Sequence, residues 1–163
     1  MGSFLLPDAN SGICRLLPSQ VELSSHTTER AFLATDPGRT SILSQPNTGY
    51  NWYRMKEVYS LDNAPLIVEV CFAWGLLSNL SLSISRNLQG ASWSTWSEQA
   101  ELAKDRQHQD LLERHYGPPP RQFAWGEIST AYDPRGGSSS IAIRYRSGSV
   151  VPGPSSGGLA RQR

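Results

Sequence analysis

The sequence predicts an α+β fold, with an antiparallel sheet of about five to six strands, one long helix packed on one face of it and a short N-terminal helix. Two observations indicate the sheet. Segments with period-2 alternation occur in pairs around Gly75 and around residues 133–137, and strands joined by short turns pair antiparallel. The third observation indicates the helix, because residues 95–116 contain no Gly or Pro and are rich in helix-forming residues.

A single domain is expected over residues 18–147 of the 163-residue chain, because a chain of this length forms one core more readily than two. Residues 1–17 show no clear period and are predicted to form a loosely ordered arm. Residues 148–163 are rich in Gly, Ser and Pro and are predicted to form a disordered tail, because this composition buries too little apolar surface to offset its ordering entropy. Deleting the tail is expected to leave the stability unchanged.

The first elements of the domain are predicted to be short. Residues 20–24 alternate and indicate a strand, and residues 26–34 indicate a helix with Ser25 or Thr27 as its N-cap. Asp36-Pro37-Gly38 is expected to end this helix, since proline cannot continue a helix and glycine tolerates positive φ. Two apolar side chains of the helix are expected to pack inwards, Phe32 and Leu33.

The central strands follow. Residues 40–44 and 50–59 are predicted strands separated by a turn at 45–49, and the second is rich in aromatic and β-branched residues. The next segment alternates most clearly, and its predicted inner face is Leu66, Val68, Val70, Phe72 and Trp74. After Gly75, the predicted inner face of the paired strand is Leu76, Leu80, Leu82 and Ile84.

The long helix is predicted over residues 95–116. Thr95-Trp96-Ser97-Glu98 has the form of a capping box, and Gly117 followed by three prolines is a strong stop signal. Its predicted packing stripe is Trp96, Ala100, Ala103, Gln107 and Leu111, with Leu112 and His115 beside it. The remaining face carries solvated charge, including Glu101, Lys104, Asp105, Arg106, Asp110, Glu113 and Arg114.

A second hairpin is predicted from residues 122–132 and 139–146, which flank the turn at 133–137. Together the two hairpins supply the predicted core. The residues expected to be buried beneath the long helix are Val68, Val70, Phe72, Leu80, Leu82, Ile84, Ile141 and Ile143.

Charge and composition exclude several classes of partner and location. Fifteen basic and fourteen acidic side chains give a net charge of +1, which offers no electrostatic basis for binding nucleic acid or an anionic membrane. Residues 1–8 lack the basic region of a signal peptide, and no uncharged apolar run approaches the roughly 18 residues of a membrane helix. Two cysteines, Cys14 and Cys71, are too few for a disulfide framework. A disulfide between them is possible but not implied; free or buried thiols are the main expectation, and with them a reducing, cytoplasmic location.

Residues that carry chemistry are few. His108 and His115 lie about 10 Å apart along the predicted helix, too far to share a metal ion; the plainer expectation is one solvated histidine and one packed near the helix end. Residues 133–140 resemble a phosphate-binding loop but precede a strand, so a hairpin turn explains them better. We therefore expect no catalytic residue, no metal and no cofactor, and no enzymatic activity.

Five tryptophans have two interpretations. Trp52, Trp74 and Trp125 lie in predicted strands, and Trp93 and Trp96 lie at the start of the long helix. Stacking on single-stranded nucleic acid is disfavoured because no basic groove accompanies them. Packing within the core is the main expectation, and any of them that is exposed would mark a protein interface.

The second half of the chain resembles a known type of protein. Tyr116-Gly117-Pro118-Pro119, Phe123-Ala124-Trp125-Gly126-Glu127-Ile128 and residues 132–145 are similar to segments of small bacterial immunity proteins of polymorphic-toxin systems. The similarity extends over residues 20–146. It implies a cytoplasmic binding protein that neutralises a cognate toxin by occluding its active site. The alternative is a small ligand-binding α+β domain, or a small enzyme, with a cleft between sheet and helix.

Two surfaces are predicted to contact such a toxin, because binding energy concentrates in aromatic, arginine and complementary charged residues. The first is the tip of the second hairpin, with Tyr132, Asp133 and Arg135. The second is an acidic face of the long helix, which would attract a basic toxin; its residues are Asp105, Asp110 and Glu113. The plainer alternative for that face is solvation alone.

Overall fold

The computed structural model describes residues 1–47, 49–85 and 96–147. The strands are β1 Gly2–Leu5, β2 Cys14–Leu17, β3 Val21–Leu23, β4 Ile42–Asn47, β5 Tyr50–Arg54, β6 Tyr59–Leu61, β7 Ala64–Ala73, β8 Leu76–Ile84, β9 Gln122–Phe123, β10 Gly126–Asp133 and β11 Ser138–Tyr145. The helices are α1 Glu29–Leu33, α2 Asp36–Thr40 and α3 Glu98–Tyr116. The predicted α+β class is confirmed.

The predicted number of strands and the prediction that all of them pair antiparallel were wrong. Within the described residues one sheet contains eleven strands, nine of which follow the order β3-β2-β1-β6-β7-β8-β11-β10-β9. The strand β5 pairs with the same edge of β7 as β6 does, and β4 pairs with the other edge of β5. The pair β1–β6 is parallel, with Gly2 opposite Tyr59. Several of the additional strands have only two to four residues, too few for a period of two to be recognised.

The N-terminal segment is part of the fold, so the prediction of a loosely ordered arm over residues 1–17 was wrong. β1 pairs with β2 and β6, and β2 pairs with β3. Phe4, Cys14 and Leu16 are fully buried in the core. These strands obtain their hydrogen-bond partners from distant parts of the chain, which no local pattern announces.

The sheet curls so that its two ends meet over the core. The Tyr145 hydroxyl on β11 donates to the carbonyl of Gly12, at 2.9 Å, and lies 3.3 Å from the Cys14 sulfur. Trp125 Nε1 donates to the carbonyl of Ala9 at 3.1 Å. Burial raises the pKa of the Cys14 thiol to about 12, so this cysteine is an unreactive core residue. Both cysteines are free, as expected.

Both predicted hairpins are confirmed, and so is the burial of all eight predicted core residues. The β7–β8 register shifts after Cys71. This bulge buries Leu77 and exposes Leu76, which reverses the prediction for these two residues. Phe72 is covered by Phe32 of α1, with ring centroids 5.4 Å apart, and not by the long helix.

The segment between β3 and β5 differs from the predictions in its boundaries. α1 is capped by Thr28, and Asp36-Pro37-Gly38 begins α2 instead of ending structure there. Proline fits the first turn of a helix because its missing N–H would be unpaired there. β4 extends into the predicted turn at 45–49, and β5 and β6 replace the single strand predicted over 50–59.

Helix α3 begins at Glu98, three residues later than predicted; its N-cap is Ser97, whose side chain accepts from the N–H of Ala100, and its C-cap is Gly117 with φ of 80°. The predicted stop is confirmed. The packing face is rotated from the predicted stripe by roughly a quarter of a turn, because its buried residues are His108, Leu111 and Leu112.

Some predictions concern residues outside those described. They are the Thr95 cap, the position of Trp93 and the tail at 148–163. No helix within the described ranges is long and apolar enough to cross a membrane.

Candidate functional site

The predicted contact residues of the second hairpin lie at its tip. Asp133 and Arg135 are exposed, and the Asp133 carboxylate accepts from the backbone N–H of Arg135 at 2.9 Å. The Tyr132 hydroxyl lies 3.5 Å from Glu98 Oε1 at the start of α3. Trp96 Nε1 donates to the carbonyl of Gly137 at 2.6 Å. The tip is therefore tied to the beginning of the helix by two side chains.

The three predicted acidic residues do not form one face of α3. Asp105 is half-buried on the side of the sheet, and its Oδ2 accepts from Gln109 at 2.6 Å. Asp110 and Glu113 are exposed and border different grooves. Five residues separate Asp105 from Asp110, which places them about 140° apart around the helix, and only Asp110 and Glu113 are exposed to solvent.

A polar cluster anchors the middle of α3 to the sheet. His108 is fully buried; its Nε2 accepts from the backbone N–H of Ile84 at 3.1 Å, and its Nδ1 lies 2.9 Å from Ser139 Oγ. Glu101 Oε2 accepts from the backbone N–H of Ser139 at 3.0 Å. Burial, with a smaller effect of the Lys104 charge, lowers the pKa of His108 to about 4, so the ring is neutral near neutral pH.

The His108–Ser139 pair is not arranged as a base and a nucleophile. Because the lone pair of Nε2 accepts the hydrogen bond from the Ile84 N–H, the neutral ring carries its proton on Nδ1. The Nδ1–H therefore donates a hydrogen bond to Ser139 Oγ. A general base needs the reverse direction. Ser139 is also only 1% exposed. The expectation for the two histidines is reversed as well, since His115 at the helix end is partly exposed and contacts Asp62 at 2.9 Å.

The most exposed aromatic side chain among those described belongs to Trp74, which is 76% exposed in the β7–β8 turn. Tyr50 at the start of β5 and Leu76 at the start of β8 are also exposed, at 45% and 46%. Tyr50 lies opposite Ala73 in the sheet, next to the turn. We call these three residues, Tyr50, Trp74 and Leu76, the Trp74 surface. Sequence analysis placed Trp74 on the buried face, although a two-residue Trp-Gly turn between alternating segments would have indicated its exposure.

The indole of Trp74 is exposed and yet held in place. Trp74 has φ of 52° and Gly75 has φ of 83°, which are the left-handed conformations of a type I′ hairpin turn. The N–H of Trp74 donates to the carbonyl of Gly49 at 2.7 Å. A Cβ at Gly49 would lie 2.6 Å from the indole ring, so the ring rests directly on that glycine. A bulky residue in this conformation is strained, and such strain is concentrated at functional sites.

Two grooves lie at the opposite end of β7, where α3 crosses the turn between β6 and β7. Asp62 in this turn contacts both His115 and Arg114 of the helix, at 2.9 and 3.5 Å. One groove, of about 350 Å³, lies between the turn, Ile84 and the helix; the other, of about 620 Å³, lies between the turn and β1. They are the nearest counterpart of the cleft between sheet and helix.

Comparisons of the chain with protein-family models, with curated proteins and with solved structures found no match. The expected resemblance to immunity proteins therefore stays a prediction from the sequence segments. Within residues 1–47, 49–85 and 96–147, no group of three or more His, Cys, Asp or Glu side chains is arranged to hold a metal ion.

Proposed function

We propose that this protein is an immunity-type binding protein that neutralises a cognate bacterial toxin by covering the toxin's active site. The observation that carries the proposal is the Trp74 surface, a rigid aromatic anchor at the end of a large sheet. Tryptophan and tyrosine supply a large share of the binding energy in protein interfaces. The similarity of residues 20–146 to immunity proteins supports the toxin as the partner.

The position of Trp74 explains how such a surface would bind. A side chain that is already oriented in the free protein loses little conformational entropy when a partner covers it. The β7–β8 turn projects from the hairpin, and α1 supports it because the N–H of Glu29 donates to the carbonyl of Gly75 at 2.9 Å. The turn therefore offers an apolar projection that fits into a recess such as an enzyme's active site.

The test is a pull-down of the tagged full-length chain from its native cells. We expect one protein to co-purify in about equal amount, to be toxic when it is produced alone and to lose its activity when the chain is added. The Trp74→Ala variant should lose this partner, and the Leu102→Ala variant, which alters an exposed leucine on α3, should retain it. A stable partner that is retained by both variants would remove the Trp74 surface from the interface.

The grooves beside Asp62 favour a second candidate, a ligand-binding domain with a cleft between sheet and helix. The groove of about 350 Å³ has helix residues on one side and the β6–β7 turn on the other, and ligand sites are concave. Recovery of a small molecule with the purified chain, in the absence of a protein partner, would favour this candidate. Its binding should then depend on Asp62 and Arg114.

A further inference from the structure

Arg121, between α3 and β10, is a buried cation without an ionic partner. The residue is only 8% exposed, whereas arginine is almost never this deeply buried unless it is paired. No carboxylate within the described part of the chain lies within 4 Å of its guanidinium, although six other ion pairs are formed there. The charge of Arg121 is therefore uncompensated by any side chain described.

One hydrogen bond of the Arg121 side chain explains part of its position. Its Nε donates to the carbonyl of Gly117 at 2.9 Å, which caps the end of α3 and places a positive charge at the negative end of the helix dipole. This bond uses one of the five N–H donors of the guanidinium. The two terminal nitrogens donate to no group of the described residues. Both of them are accessible to solvent, because neither is among the buried polar atoms that lack a partner.

Arg121 also lines a groove of about 360 Å³ at the edge of β10. We call it the β10-edge groove, and its polar lining residues are Gln109, Glu113, Arg121, Gln122, Glu127, Ser129 and Thr130. β9 pairs with Gly126 and Glu127, and Arg121 extends this pairing to Ile128, so β10 has an open edge beyond Ile128 among the described strands. The N–H of Ile128 points to that edge, since it donates to the carbonyl of Arg121. By the alternation of an antiparallel ladder, the N–H of Thr130 points the same way.

We infer that the β10-edge groove is a binding site for a carboxylate, which Arg121 holds with its terminal nitrogens beside the open edge of β10. A planar guanidinium matches a carboxylate in a two-bond geometry, and edge N–H groups of a sheet favour anions. Glu127 is already paired with Arg144, at 3.2 Å. The exposed Glu113 adds a negative charge to the groove, which favours a singly charged anion over a dianion such as phosphate.

The carboxylate has two sources, a free small acid or the C-terminus of a polypeptide. The chemistry at Arg121 is the same for both, and the length of the groove beside β10 distinguishes them, because an extended peptide would also pair with the strand edge. This site is separate from the Trp74 surface, so the result at one site does not decide the other.

The experiment is an NMR titration of the ¹⁵N-labelled full-length protein with N-acetylglycine, at constant ionic strength maintained with sodium chloride. We expect saturable shifts at the Arg121 Nε–H and at the amides of 128–130, with a Kd in the millimolar range, and weaker effects from inorganic phosphate. The Arg121→Gln variant should lose these shifts, whereas Arg39→Gln, which alters an exposed arginine of α2 that does not line the groove, should keep them. The wild-type map tests the site even if the Arg121 variant does not fold.

A short peptide with a free C-terminus, compared with its C-terminal amide, identifies the source. Binding of the acid at least tenfold tighter than N-acetylglycine, with the amide inactive, assigns the site to a polypeptide C-terminus; equal affinities assign it to a small acid. No saturable shift up to about 100 mM ligand, shifts that persist in Arg121→Gln, or equal shifts with sodium chloride alone would each overturn the inference.

Discussion

Replacing Trp74 by asparagine separates a role in binding from a role in stability. Trp74 is 76% exposed, so about a quarter of its surface, ~60 Å² of roughly 250 Å² for a tryptophan, contacts the protein. At ~25 cal/mol per Å² the loss of this contact costs about 1.5 kcal/mol. The left-handed conformation at this position costs a bulky residue about 1–2 kcal/mol, and Asn-Gly is the preferred pair in a type I′ turn.

These two terms nearly cancel. We therefore expect Trp74→Asn to change the free energy of unfolding by less than about 1 kcal/mol and the melting temperature by at most ~4 °C. The affinity for a partner that covers the indole should fall by about 30-fold or more, since a central anchor in an interface contributes about 2 kcal/mol or more. Stability is measured by urea denaturation followed by circular dichroism, and affinity is measured with the partner recovered from the pull-down.

Leu102→Asn is the matched control, because it also replaces an exposed apolar side chain and lies on α3. Its affinity for the partner should equal that of the wild type. If Trp74→Asn lowered stability by more than about 3 kcal/mol and left the affinity unchanged, the indole would be a structural element of the hairpin and the reasoning above would be wrong.

Four further predictions concern the core, the buried histidine of α3, the glycine beneath the indole of Trp74 and the acidic side chains of the helix. Phe72→Ala should lower the free energy of unfolding by about 3–5 kcal/mol in urea denaturation, since Phe72 is fully buried; an unchanged melting temperature would contradict its place in the core. Burial lowers the pKa of His108 from an ordinary 6.5 to about 4 in the folded protein. The contribution of His108 to the free energy of unfolding is therefore fully present above pH 6.5 and is lost as the pH falls towards 4. Between about pH 7.5 and pH 5 the wild type should therefore lose about 2 kcal/mol more than His108→Gln, which does not titrate; equal losses in the two proteins would show that His108 is not held neutral. Gly49→Ala should weaken partner binding, because its Cβ would lie 2.6 Å from the indole that rests on it, and unaltered affinity would show that the ring needs no such support. Replacing Asp110 and Glu113 together by lysine should leave the association rate unchanged at low and moderate salt, because Asp110 borders the groove at the end of β7 that is roughly 30 Å from its turn, and Glu113 follows one helical turn later; a slower association would bring the helix back into the interface.

The sequence by itself determined the elements that carry their own pattern. The β7–β8 and β10–β11 hairpins follow from alternation over eight to ten residues with turn residues between them. The end of α3 follows from Gly117, and the burial of residues such as Val70 and Ile143 follows from the faces of those strands. These features are local, since each strand lies within a turn of its partner in the chain.

The candidate sites were only partly accessible to the same reasoning. The hairpin tip with Tyr132 was located correctly as a projecting turn, and whether it contacts a partner stays a prediction. Trp74 was assigned to the wrong side because alternation was continued through the turn, where the backbone changes to positive φ. Arg121 carries no signal in the sequence, since an arginine after three prolines is ordinarily an exposed loop residue.

Only the tertiary structure decided how the short and weakly patterned segments are used. β1 and β2 are strands because β6 and β3 supply partners for their backbone groups; four residues alone do not establish a sheet. The orientation of α3 depends on His108, whose ring satisfies the N–H of Ile84, and on two adjacent leucines, because the helix lacks an apolar stripe strong enough to fix its own face. Where local preference is weak, the pairing of buried polar groups and the packing of distant segments determine the structure.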